Sequence, residues 1–74
     1  MESIAASAEA KIKLSPRELQ VLTGLAADRS MKELAIELGI SIKTARAYLS
    51  RAKRKLRVRS AGAAIAEAVR RGGV

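Results

Sequence analysis

Apolar side chains return at helical spacing in four blocks, and a serine stands before each block. In the first block, Ser15-Pro16-Arg17-Glu18 forms a helix start. The Ser15 hydroxyl can accept from free amides, Pro16 suits the first helical position, and Glu18 completes a capping box. Leu19, Leu22 and Leu25, with Val21 and Ala26, then make one apolar face, predicting a helix over about 16–27. Asp28 follows, a residue that tolerates the left-handed backbone of a tight helix exit. Ser30-Met31-Lys32-Glu33 repeats the capping box, opening a short helix over 31–38 with Leu34, Ala35 and Leu38 inward and Gly39 as its stop. Ser41 caps a third helix over 42–56. Its apolar residues Ala45, Tyr48, Leu49, Ala52 and Leu56 fall at i, i+3, i+4, i+7 and i+11, a narrow seam. Ser60 opens a fourth over 61–71, with Ala61, Ile65, Ala68 and Val69 expected on its core face and Gly72-Gly73 after it. No β-branched alternating run is present, so the expected fold is all-α: a four-helix bundle containing a helix-turn-helix. The Ala- and Ser-rich residues 1–13 read as a flexible tail or linker, leaving residues 14–74 as the domain.

Charge changes this picture from a fold into a site. The 74 residues carry 15 Lys plus Arg against 7 Asp plus Glu, a net +8. Residues 1–42 sum to −1 and residues 60–74 to +1. All of the excess lies in residues 43–59, which hold Lys43, Arg46, Arg51, Lys53, Arg54, Lys55, Arg57 and Arg59 and no acid. A solvated helix face ordinarily mixes signs for i,i+4 support, whereas like charges alone repel until an anion neutralises them. The run also stands directly behind the turn, where entry into a DNA groove requires it. A membrane-surface helix is disfavoured because its apolar side is needed for the core and lacks Phe and Trp. Stacking on single strands needs aromatic platforms, and Tyr48 is the chain's one aromatic residue.

The absent residue types narrow the function further. With no His and no Cys there is no imidazole or thiolate for catalysis or metal binding. An enzyme, a metal site and a cofactor are therefore not expected. No export signal or membrane-spanning run is legible, and the expected setting is the cytoplasm, at the nucleoid. A helix fits the major groove with its outward residues on base edges. Arg46 suits a guanine, Ala47 a thymine methyl, and Ser50 either donor or acceptor. Lys43, Lys53 and Arg54 flank them as candidates to neutralise phosphates.

Several of these segments, in order, resemble the LuxR/GerE-type DNA-binding domain. They are Leu14-Ser15-Pro16-Arg17-Glu18-Leu19-Gln20-Val21-Leu22, Ser30-Met31-Lys32-Glu33-Leu34-Ala35, Leu38-Gly39-Ile40-Ser41, Thr44-Ala45-Arg46 and Lys55-Leu56-Arg57-Val58. The length and initial Met are similar to those of stand-alone members. The resemblance implies double-stranded DNA as partner, a third helix in the major groove and a fourth that pairs two protomers. It maps base contacts onto Arg46, Ala47 and Ser50, and phosphate contacts onto Ser30, Lys32, Ser41, Thr44 and Arg51. A homodimer would use the small outward residues Gly62, Ala63 and Ala66, with Glu67 and Arg70 beside them; the plainer reading is an Ala-rich helix chosen for propensity.

The chain departs from the family at Ala45, where Val is usual, at Tyr48, where His is frequent, and at Ala52, where a larger apolar residue is usual. It also has Arg57 where the family commonly has Gly. Arg disfavours a left-handed cap, so helix three is expected to run a residue or two past Leu56. Tyr48 to Arg57 also resembles region four of sigma factors, a promoter-recognition module that contacts RNA polymerase. The capped fourth helix favours the LuxR/GerE reading over that alternative.

Overall fold

The serines act first. In this computed structural model, which describes residues 14–71, each sits in extended backbone and its hydroxyl accepts the amide three residues on. Ser15 takes Glu18, Ser30 takes Glu33, Ser41 takes Thr44 and Ser60 takes Ala63, at 3.0–3.2 Å. The helices that follow are α1 (Pro16–Ala26), α2 (Met31–Leu38), α3 (Ile42–Leu56) and α4 (Ala61–Arg70), with no strand among the described residues. These spans agree with the expected ones to within one residue. The tail or linker expected over residues 1–13, and Gly72-Gly73, lie outside the described residues.

The exits of the first three helices share one hydrogen-bond pattern. Gly39 has φ +68°, its amide bonds to Ile36, and the next amide, of Ile40, reaches back to Ala35 at 2.9 Å. Asp28 (φ +67°) and Arg57 (φ +59°) occupy the same left-handed position after α1 and α3, with Arg29 bonding to Gly24 and Val58 to Lys53, each at 3.0 Å. Asp28 was expected there; Arg57 was not. Helix three stops at Leu56 rather than continuing. The reason is on the next residue, because the turn lets Val58 pack against the core cluster, and that burial offsets the cost of a left-handed Arg.

Packing is built on small residues. Leu22, Ala52, Leu56, Ala64 and Ala68 form the core cluster, with Leu14, Leu49, Val58 and Ile65 against it. Val21, Leu34, Ala35 and Ala45 are buried as well, between α1, α2 and α3. Helices α1 and α3 each touch every other helix, while α2 and α4 do not meet. On α1 the buried side is centred on Val21 and Leu22; Ala26, placed on the apolar face by spacing, is exposed. The face of α4 is also turned from expectation. Ala64 and Ala68 are buried, Ala61 and Ile65 are half-buried, and Val69 is 54% exposed. Where nearly every residue is apolar, side-chain size does not mark the inner face. Here the methyl-sized residues face in, letting α4 approach Ala52 closely.

Candidate nucleic-acid interface

Helix α3 is anchored along one side. Ala45, Ala52 and Leu56 are buried, and Tyr48 and Leu49 are half-buried beside them. With 3.6 residues per turn, Lys43, Arg46, Ala47, Ser50 and Arg54 then fall on the opposite side. Lys43, Arg46, Ser50 and Arg54 are exposed, while Ala47 is half-buried. Thr44 and Arg51 lie along one flank with Tyr48, and half-buried Lys53 along the other. Ser30, Lys32 and Ser41, at the starts of α2 and α3, are exposed as well.

The electrostatics of these helix starts differ in one respect. The third residue of α1 is Glu18 and that of α2 is Glu33, and each carboxylate reaches back to its cap amide, at 2.9 and 2.8 Å. The corresponding residue of α3 is Thr44, whose Oγ1 instead accepts from the Ser41 hydroxyl at 2.9 Å. The first turn of α3 therefore carries no acid. Its partial positive charge stays available to an anion, and its first two amides have no partner within the helix.

One member of the basic run points elsewhere. The Lys55 ammonium lies 2.8 Å from Oε1 of Glu18, whose side chain is only 3% exposed, and ties α3 to the start of α1. Burial pushes the Glu18 carboxyl up. The hydrogen bonds from Lys55 and from the Ser15 amide and hydroxyl, with the charge of Lys55, outweigh this and hold it below its ordinary value. Lys43, Arg46, Arg51, Lys53 and Arg54 make no ion pair among the described residues. The charge that spacing assigned to a surface is thus divided between a structural tie and a free face.

Two contacts of the site were not legible beforehand. The Lys55–Glu18 bond joins residues 37 positions apart, and no local pattern announces it. Tyr48, assigned by spacing to packing, also carries the Arg51 guanidinium over its ring, 5.6 Å from the centroid. Their i,i+3 spacing on a helix is the signal that would have found it.

On α4, Gly62, Ala63, Ala66, Glu67 and Arg70 share the side away from Ala64 and Ala68. Gly62, Ala66 and Arg70 are exposed, and Ala63 and Glu67 half-buried. Glu67 is engaged within its own helix. It accepts from Arg70 Nε at 3.2 Å and Arg71 Nε at 2.7 Å, and these bonds draw its carboxyl down to about 2. Among the described residues no helix is long and apolar enough to cross a membrane, and no group of acids is placed to hold a metal ion.

This arrangement has known counterparts. The chain is 41% identical over 64 residues to the spore germination protein GerE of Bacillus subtilis (strain 168), covering 86% of each. It is 43% identical over 54 residues to a probable HTH-type transcriptional regulator, GfsR, of Streptomyces halstedii; the match takes in 73% of this chain but 22% of that relative's length. Among solved structures it is similar to the transcription factor GerE, with a TM-score of 0.78 and 38% identity over 81% of this chain and 90% of that one. The alternative of sigma-factor region four yields to these matches, and the family they define acts through DNA binding rather than catalysis. Residues 13–68 match the bacterial regulatory proteins of the luxR family, and the chain belongs to that family, with α2 and α3 as the helix-turn-helix of a transcription regulator's DNA-binding domain.

Proposed function

We propose that the domain binds duplex DNA sequence-specifically, with α3 in the major groove, and pairs through α4 on a roughly palindromic site in the cytoplasm, at the nucleoid. The observation that carries this is the acid-free outer side of α3, fixed in orientation by its buried Ala45–Ala52–Leu56 seam. In this reading Arg46 meets a guanine through two bonds, Ala47 a thymine methyl, and Ser50 an adjacent base edge. Ser30, Lys32, Ser41, Lys43, Thr44, Arg51, Lys53 and Arg54 contact phosphates, aided by the open amides at the start of α3. Pairing uses Gly62, Ala63 and Ala66, whose small size permits close approach, with Glu67 and Arg70 at the margin. The surface is light, so pairing is completed on DNA, where both protomers are already held.

Selection from random duplex DNA, followed by sequencing, tests this. The expected result is an enriched motif of two related half-sites; no enrichment at physiological salt sinks the proposal. On the selected site Arg46→Ala should cost about 1–3 kcal/mol and relax preference at one base pair of each half-site. Lys53→Ala should weaken all duplexes alike and flatten the salt dependence by about one charge.

A further inference from the structure

We infer that Tyr48 is a positioning residue for DNA binding: its ring seats the Arg51 guanidinium in the free protein, at the flank of α3 where that charge meets a phosphate. The inference rests on the DNA-binding reading above and concerns a residue to which that reading gives no role.

Arg51 is exposed and has no acidic partner among the described residues. Three positions on stands Arg54, which makes no ion pair among the described residues, so the two guanidinium groups repel. A long, repelled side chain would sample many rotamers, and ordering it at the moment of binding would cost affinity. The structure gives it one seat, with Cζ 5.6 Å from the Tyr48 centroid. Tyr48 is half-buried beside the core seam, so packing holds the ring that lies under the Arg51 guanidinium. A carboxylate here would hold Arg51 more firmly, but it would neutralise the guanidinium and repel DNA. A neutral aromatic face holds the cation and leaves its charge intact. The Tyr48 hydroxyl makes no hydrogen bond among the described residues, so the ring rather than the hydroxyl carries the contact.

The test is a double-mutant cycle on the whole chain, read as affinity for the duplex selected above. Tyr48→Leu is expected to weaken binding about threefold, the range of an exposed cation–π contact. Tyr48→Phe should stay within about 1.5-fold of the parent, because the ring is retained. In the Arg51→Ala background, Tyr48→Leu should have no further effect. An equal loss in both backgrounds, or a Phe variant as weak as Leu, overturns the inference while leaving the DNA reading intact. A parent protein that selects no duplex overturns both. Tyr48 is the chain's sole aromatic residue, so its fluorescence reports the contact without DNA and without a core substitution. Arg51→Ala should shift the emission intensity of the free protein, and unchanged emission overturns the seat.

Discussion

Replacing Lys55 by Met tests the tie between α1 and α3 at its most exposed point. The substitution keeps most of the aliphatic stem and removes the ammonium 2.8 Å from Glu18 Oε1. Glu18 is 3% exposed, so its carboxylate is left in a buried place, held by the bond it accepts from the Ser15 amide. Breaking a fully buried ion pair costs about 3–5 kcal/mol, but the Lys55 side chain is 41% exposed and water screens part of the interaction. A loss of about 2 kcal/mol follows, in the range of a charged hydrogen bond, which for a domain of this size lowers Tm by on the order of 10 °C. Glu18→Gln should cost less, about 1 kcal/mol. The amide can still accept from Ser15, and the Lys55 side chain is already 41% exposed to water.

The pH dependence separates this account from simple loss of packing. In the parent the folded Glu18 carboxyl lies below its ordinary value of 4.5. Its contribution is fully present above that value and is lost as pH falls through the depressed folded one. In Lys55→Met the hydrogen bond and charge of Lys55 are gone while the burial remains, so the folded carboxyl rises relative to the parent's. The penalty is then full at neutral pH and shrinks as acid protonates the orphaned group. Thermal melts by circular dichroism from pH 7 to pH 3 should therefore converge. Parallel curves, with the same gap at every pH, would refute the reasoning.

Two further outcomes follow from backbone geometry. Arg57→Gly should raise stability by about 1 kcal/mol, seen as a Tm several degrees higher, because φ +59° strains an Arg and not a Gly. Gly24→Ala should do the reverse in spite of Ala's better helix propensity. An added Cβ would stand 2.1 Å from Leu34 Cδ2, forcing the buried Leu34 into the adjoining α1–α2 cleft of about 400 Å³. Lost burial exceeds the propensity gain by about 1 kcal/mol, measurable by urea titration.

The four helices were legible because each begins with a local signal: a serine, and in two cases a Glu three positions on, that needs no tertiary context to act. The basic side of α3 was legible for a related reason. Its seam and its charges occupy complementary arcs of one helix, so periodicity alone separates them. What escaped depended on other elements. The inner face of α4 is chosen by fit against Ala52, and an Ala-rich sequence offers no contrast to announce it. Arg57 takes a turn that its own preference disfavours, because the left-handed turn makes the burial of Val58 possible. The partner of Lys55 is hidden in the sequence because Glu18, 37 residues away, already has a local task as the cap partner of Ser15.

That double use of Glu18 bears on how a helix carrying only positive charge stays folded. Along α3 the basic residues repel one another, and no acid within the helix offsets this. Compensation comes from the ends and from one flank. The Lys53, Arg54 and Lys55 side chains crowd the last turn, where the helix dipole favours cations. Lys55 is neutralised by a carboxylate from α1, and Arg51 rests on a neutral ring. These devices stabilise the helix without placing an anion on its outer side, where one would compete with phosphate. DNA then supplies the missing counter-charge. It should stabilise the fold as any ligand bound only by the native state does, and the stabilisation should fade as salt screens the phosphates.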